Sequence, residues 1–164
     1  MKALVTYHSQ TGNTEKIARA IYESIHFEKE ILPIREVKEI QGYDIVFAGF
    51  PVQAHSVPAA VVPFFKKLPP GQKIALFCSH GSLRGGQLPK QAVEQAIGLA
   101  AQMKVLGTFC ARGQVEPRVI DALEKSVQHQ AWAEEAAGAC GHPDAADLAD
   151  AREFTRSILA KLGH

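Results

Sequence analysis

A short polar loop near the start of the chain, Ser9–Thr14 (SQTGNT), carries residue types that can hold a phosphate group. It leads into a helical pattern, and the start of a helix offers unpaired N–H groups with a partial positive charge. Gly12 allows close backbone approach, and Ser and Thr hydroxyls are further donors. The same residue types cap helices, so phosphate binding and helix capping both stay open. The loop matches neither the P-loop nor the GxGxxG dinucleotide pattern.

Three histidines, His8, His55 and His80, follow predicted strands. The carboxyl ends of parallel strands meet at one edge of a sheet, so we expect these imidazoles to lie near one another. They could ligate a metal, donate protons or hydrogen bonds to a reduced cofactor or substrate, or be solvated loop residues. No carboxylate in the same loops completes a metal site, so we predict none. We assign His55 and His80 as candidate catalytic residues.

The segment Cys78–Arg84 has the C-x5-R spacing that resembles the signature of cysteine-dependent phosphatases. In those enzymes a thiolate attacks phosphorus while loop amides and the arginine hold the oxygens. Gly85 replaces the Ser or Thr that usually follows the arginine, and no Asp in the strand-edge loops provides a general acid. Phosphatase chemistry is therefore the alternative from another class. The simpler interpretation is that Cys78 and Cys110 are buried residues at strand ends.

The composition is typical of one soluble domain over residues 1–164, with 46% hydrophobic and 21% charged residues. A formal net charge of +1 does not favour generic nucleic-acid binding. No apolar run approaches the roughly 18 residues of a membrane span, and no secretory signal is recognisable. Three cysteines without CxxC spacing predict reduced thiols and a cytoplasmic location.

Five apolar segments alternate with helical patterns along the chain. We predict strands at 3–7, 31–34, 44–50, 73–78 and 105–111, and helices at 13–25, about 60–68, 88–103, from Pro117 and at about 144–162. Strands that are apolar on both faces indicate a parallel sheet covered by helices on both sides. The pattern predicts a doubly wound α/β domain whose ligand lies at the carboxyl ends of the strands.

The segment LVTYHSQTGNTEKIARAI resembles the FMN-phosphate signature that opens flavodoxins, although Thr6 occupies a usually apolar position. The resemblance covers about Met1–Arg112. It implies a five-stranded parallel sheet of order 2-1-3-4-5, here followed by an extra C-terminal helix. It also implies that FMN is the cofactor. The residues that would cradle its phosphate are Ser9, Gln10, Thr11, Gly12, Asn13 and Thr14.

In flavodoxins the loops after the third and fourth strands sandwich the isoalloxazine ring. These loops read GFPVQAHSVP (49–58) and CSHGSLRGGQLP (78–89) here, and neither contains the tryptophan or tyrosine that typically stacks on the flavin. By this resemblance, the ring-contacting residues would be Phe50, Pro51, Val52, Gln53, Ala54, His55, Cys78, Ser79, His80, Gly81 and Gly86.

Between Ile45 and Val93 the chain contains no Asp or Glu, whereas Arg84 and several lysines occur there. Flavodoxins that act as low-potential carriers typically have the opposite pattern, with many carboxylates around the flavin. A cation near the ring stabilises negative charge on the reduced flavin. We therefore predict a less negative semiquinone–hydroquinone potential than in acidic flavodoxins and a less stable semiquinone, with Arg84 close to the ring. His80→Leu should remove any pH dependence near pH 6–7 that this imidazole causes.

The resemblance implies an FMN-dependent electron-transfer protein. It is either a shuttle between redox proteins or a small reductase of a quinone-, porphyrin- or bilin-like molecule. The expected partner is a redox protein or a small-molecule electron acceptor, with no nucleic acid and no membrane span. A domain that keeps the flavodoxin fold without flavin is a further alternative.

Overall fold

The computed structural model describes residues 1–163, in which five strands alternate with helices. The strands are β1 (Lys2–Tyr7), β2 (Glu28–Pro33), β3 (Ile45–Pro51), β4 (Lys73–His80) and β5 (Lys104–Arg112). The helices are α1 (Asn13–Glu23), α2 (Val62–Lys67), α3 (Gln87–Leu99), α4 (Pro117–Glu124), α5 (Gln130–Ala137) and α6 (Ala145–Ala160). Short 3₁₀ turns lie at Ile34–Glu36 and Val127–His129.

All five strands are parallel and form one sheet of order β2-β1-β3-β4-β5, which confirms the predicted fold class and strand order. Strand β1 pairs with β2 on one side and with β3 on the other, so the strand order reverses between β1 and β3. In a doubly wound sheet this reversal opens a crevice at the carboxyl ends of the strands, and ligands bind there.

Hydrophobic side chains of each strand alternate between two cores, one on each face of the sheet. One core contains Leu4 and Leu76 together with Phe64 and Phe65 of α2. The other core contains Val5 and Phe77 with residues of α1 and α6. Burial on both faces explains why the central strands are nearly continuous apolar runs.

The C-terminal part differs from the prediction in its number of helices. The segment predicted as one helix from Pro117 divides into α4, a 3₁₀ turn and α5. The last helix, α6, is confirmed and begins at a capping box, in which Asp144 and Asp147 each accept a hydrogen bond from the other's backbone N–H. Within residues 1–163, the helices are too short or too polar to cross a membrane.

Strand β4 is longer than predicted, and this extension matters for the site. It continues through Ser79 to His80, both of which pair in register with β5. His80 is therefore a strand residue beside a neighbouring strand, and it is not a residue of a solvated loop.

Candidate functional site

An open cavity of about 380 Å³ lies at the carboxyl edge of the sheet, between the loops that follow β1, β3, β4 and β5. We call it the edge cavity. Its volume lies within the range of small-molecule sites, roughly 300–1,000 Å³. Its wall comprises Ser9, Gln10, Thr11, Asn13, Thr14, Pro51, Val52, Gln53, Ala54, Ser79, His80, Gly81, Gly113, Gln114, Val115, Glu116, Arg118 and Val119. The first three loops thus contribute most of the residues that the sequence predicts.

The loop after β1 presents the start of α1 without a side-chain cap. Gly12 precedes the helix with a left-handed φ of +91°, and no side chain of residues 1–163 caps its first turn. The Ser9 hydroxyl instead accepts a hydrogen bond from the Gly12 N–H, at 3.1 Å. Of the two interpretations of this loop, helix capping is therefore not realised. The N–H groups of the first turn therefore have no side-chain cap within residues 1–163, and N–H groups of this kind can bind an anion.

Hydrogen bonds join this loop to the other loops around the cavity. The hydroxyl oxygens of Thr14 and Ser79 lie 2.8 Å apart in a buried contact. The Asn13 amide donates to the Gln114 carbonyl at 2.9 Å, so the start of α1 is also bound to the loop after β5. These bonds connect the loops that form the polar wall of the cavity.

His80 is a buried imidazole in the cavity wall, with 5% of its surface exposed. Its Nδ1 has no hydrogen-bond partner in the described part of the chain. Burial lowers the pKa of His80 from 6.5 to about 4, and the charge of Arg112 acts in the same direction. The imidazole is consequently neutral near pH 7, so we expect it to cause no pH dependence of the potential near pH 6–7.

A family model described as a flavodoxin domain matches residues 4–156, which is most of the chain. The chain belongs to the flavodoxin domain family. The family resemblance drawn from the first loop is thereby confirmed.

Three individual proteins that resemble this chain have sequence identities of 27% or less. The flavodoxin-like domain-containing protein BilS of Clostridioides difficile (strain CD3) is 27% identical over 173 residues, covering 98% of each chain. A flavodoxin from the domain Archaea has a TM-score of 0.66 at 20% identity, with 100% of both chains covered. A flavoprotein in complex with FMN from Lactobacillus acidophilus has a TM-score of 0.55 at 18% identity, covering 66% of this chain and 92% of that chain. At these identities the two structures show the shared flavodoxin fold.

Several predicted site residues lie outside the wall of the edge cavity. Phe50 and Cys78 are fully buried in the core beside α2 and α3, because strand residues alternate between the two faces of the sheet. Gly86 precedes the first turn of α3. His55 is exposed, and Gly12 contributes its backbone turn just before the helix. Within residues 1–163, the three imidazoles of His8, His55 and His80 form no metal-ligating cluster.

Cys78 and Cys110 are joined by a disulfide bond, which contradicts the prediction that these thiols are reduced. They are 32 residues apart in sequence but directly paired in register on β4 and β5, with Cα atoms 4.6 Å apart.

The structure also contradicts the phosphatase alternative. The Cys78 sulfur is bonded and fully buried, and the Arg84 guanidinium pairs with Asp150 at 2.5 Å. No thiolate is available beside a phosphate-binding arginine.

The loop after β5 and the start of α4 complete the cavity wall, and they were not among the predicted site residues. They contribute Glu116 and Arg118, whose side chains form an ion pair. Glu116 therefore brings a carboxylate to this edge, although the two loops after β3 and β4 contain none. Arg84, which was expected near the ring, does not line the cavity. The hint in the sequence was the position of this loop after a fifth parallel strand.

An aromatic cluster lies against the loop after β3. Trp132 of α5 stacks on His129, with ring centroids 4.9 Å apart. Trp132 and His55 form an edge-to-face contact, with ring centroids 5.6 Å apart. Both Ala54 and His55 have positive φ, at 44° and 69°, in a tight turn closed between Gln53 and Ser56. Such backbone is costly for residues with a side chain, and the Trp132 contact supports it. No pattern in the sequence connects Trp132 with this loop.

Proposed function

We propose that this flavodoxin-family protein binds FMN in the edge cavity and carries electrons to a protein partner. The observation that carries the proposal is the uncapped first turn of α1 opening onto that cavity. An FMN phosphate is a dianion that such N–H groups and the Thr11 and Thr14 hydroxyls can bind. When bound, FMN would supply the redox chemistry.

The residues around the cavity suit a flat heterocycle with polar edges. Pro51 and Val52 offer apolar contact, and Gln53 offers an amide. The buried, unpartnered Nδ1 of His80 is costly to leave unsatisfied, so a polar atom of the cofactor would stabilise it. The relative in complex with FMN is consistent with this assignment.

Exposed apolar side chains around the cavity favour a carrier over a reductase of small molecules. Leu83 of the loop after β4 is 54% exposed, and Val119 of the cavity wall is 42% exposed. Trp132, at the loop after β3, is 40% exposed. Apolar side chains that stay accessible around an open site suit transient contact with another protein.

The cofactor assignment is tested with the double variant Thr11→Val/Thr14→Val. Loss of two hydroxyl donors to a dianion, each worth about 1.5–3 kcal/mol, should weaken FMN binding at least tenfold. Binding of riboflavin, which has no phosphate, should change little. Fluorescence quenching of the flavin measures both, and Thr108→Val on β5 is the matched control. Unchanged FMN affinity, or an equal loss for both flavins, would contradict the phosphate assignment.

The carrier assignment is tested by mixing the reduced, FMN-loaded protein with a c-type cytochrome or with a soluble benzoquinone. We expect Leu83→Ser to slow transfer to the cytochrome and to leave transfer to the quinone unchanged. Ile97→Ser, which alters an exposed apolar residue on α3, should affect neither. Equal rates for wild type and Leu83→Ser with the cytochrome, together with fast quinone reduction, would favour the small reductase.

A further inference from the structure

A second cavity, of about 340 Å³, lies beside β4 and β5 and reaches the disulfide bond. We call it the Cys110 cavity. Its wall comprises His80, Gly85, Pro89, Lys90, Val93, Glu94, Thr108 and Cys110. It contains Cys110 but not Cys78, which is fully buried in the core. The two sulfurs of one bond are thus unequal, because an open cavity leads to one of them.

We propose that the Cys78–Cys110 bond is a second, two-electron redox centre of this protein, opened by a small thiol that enters the Cys110 cavity. A disulfide is reduced by direct attack of a thiolate on one sulfur, so access to that sulfur controls the reaction. The cavity volume lies within the range of small-molecule sites. Lys90 and Glu94 place one charge of each sign on its wall, which suits a zwitterionic thiol such as glutathione.

The reaction proceeds in two exchanges. The entering thiolate forms a bond to the Cys110 sulfur while the Cys78–Cys110 bond breaks, and Cys78 leaves as a thiolate that takes up a proton. A second thiol then attacks the mixed disulfide, which yields the small-molecule disulfide and the free Cys110 thiol. Two thiols lose two electrons, and the protein gains two electrons and two protons. The step requires no flavin and is independent of the proposed cofactor.

The position of this centre brings it next to the edge cavity. Ser79 and His80 directly follow Cys78 on β4, and Ala111 and Arg112 follow Cys110 on β5. His80 lines both cavities, so the two sites share this residue. The strand pairing between β4 and β5 continues on both sides of the bond, and we expect the sheet to persist after reduction.

Thiol counting on the folded wild-type protein tests the proposal. Cys140 is exposed and unpaired, so it provides an internal reference of one reactive thiol. Without reductant, we expect alkylation in denaturant to add one group. After glutathione treatment of the folded protein, acid quenching and denaturation, it should add three groups. The opening rate should rise in proportion to glutathione concentration. An opening rate that is independent of glutathione concentration would mean that the disulfide opens only when the protein unfolds. Three reactive thiols without reductant would mean that Cys78 and Cys110 are not bonded. Either result overturns the proposal.

Paired variants test the assignment of the attacked sulfur. In a Cys140→Ser background, Cys78→Ser leaves the thiol in the cavity and Cys110→Ser leaves the buried thiol. With oxidised glutathione, we expect about tenfold faster adduct formation in the Cys78→Ser protein, because attack requires access. Equal rates, or a faster reaction at Cys78, would contradict entry through the Cys110 cavity. If either variant fails to fold, peptide mapping of the transient glutathione adduct on the wild type makes the same distinction.

Discussion

The hydroxyl oxygens of Thr14 and Ser79 lie 2.8 Å apart in a buried contact. This bond joins the first turn of α1 to the end of β4. The loops next to these two elements form different parts of the wall of the edge cavity. Because both residues are buried, removal of one hydroxyl leaves the other without its hydrogen-bond partner.

We expect Thr14→Val and Ser79→Ala to lower the free energy of unfolding by about 1–3 kcal/mol each, since each leaves a buried hydroxyl without a hydrogen-bond partner. The double variant should lose less than the sum of the two, because it removes both partners. Urea unfolding measures all three differences. Thr14→Ser, which keeps the hydroxyl, is the control. Additive losses in the double variant would show that the two hydroxyls are not coupled.

Gly81 should tolerate no side chain, because Val115 of the loop after β5 occupies the space. A Cβ at Gly81 would lie 2.3 Å from a Val115 methyl group, so Gly81→Ala should displace that loop and weaken FMN binding several-fold. The pair Gly81→Ala/Val115→Ala should restore binding. Gly98→Ala on α3, where nothing lies within 4 Å, should leave binding unchanged and add about 0.5–1 kcal/mol of stability. Flavin fluorescence titration measures these affinities. Wild-type affinity in Gly81→Ala would contradict the expectation.

His80 should make stability depend on pH below neutrality. The unfolded imidazole binds a proton below about pH 6.5, whereas burial lowers the pKa in the folded protein to about 4. Between these values the unfolded state binds more protons, so stability falls as the pH falls, by up to about 3 kcal/mol. Urea unfolding at several pH values should show this slope in the wild type. It should be reduced in His80→Leu but retained in His26→Leu, which alters an exposed imidazole. An unchanged slope in His80→Leu would refute the assignment.

Trp132 is the single tryptophan of the sequence, so its fluorescence reports directly on the loop after β3. We expect FMN to quench this emission on binding. Trp132→Ala should weaken FMN binding about two- to tenfold, because an aromatic contact is worth about 0.5–1.5 kcal/mol and supports the turn at Ala54 and His55. Trp132→Phe should retain most of the affinity. Wild-type affinity in Trp132→Ala would mean that the turn needs no such support.

Local patterns in the sequence predict the sheet and the place of the loop that follows its first strand. The central strands are apolar on both faces, which requires helices on both sides and hence a parallel order. SQTGNT lies between a strand and a helix that are contiguous in the chain, so its place at the carboxyl edge followed from local pattern alone. Pro63 is in the first turn of α2, as its missing N–H predicts.

The positions of the other residues at that edge depend on packing between elements that are distant in the chain. Cys78 and Cys110 come together only through the register of β4 with β5, and spacing along the chain does not report register. Glu116 and Trp132 reach the site from later elements, so a stretch without carboxylates in sequence is not one in space. His80 is neutral because β4 runs two residues further than its apolar run and buries the imidazole. Burial depends on what packs against a residue, and for these residues the packing partners are distant in the chain.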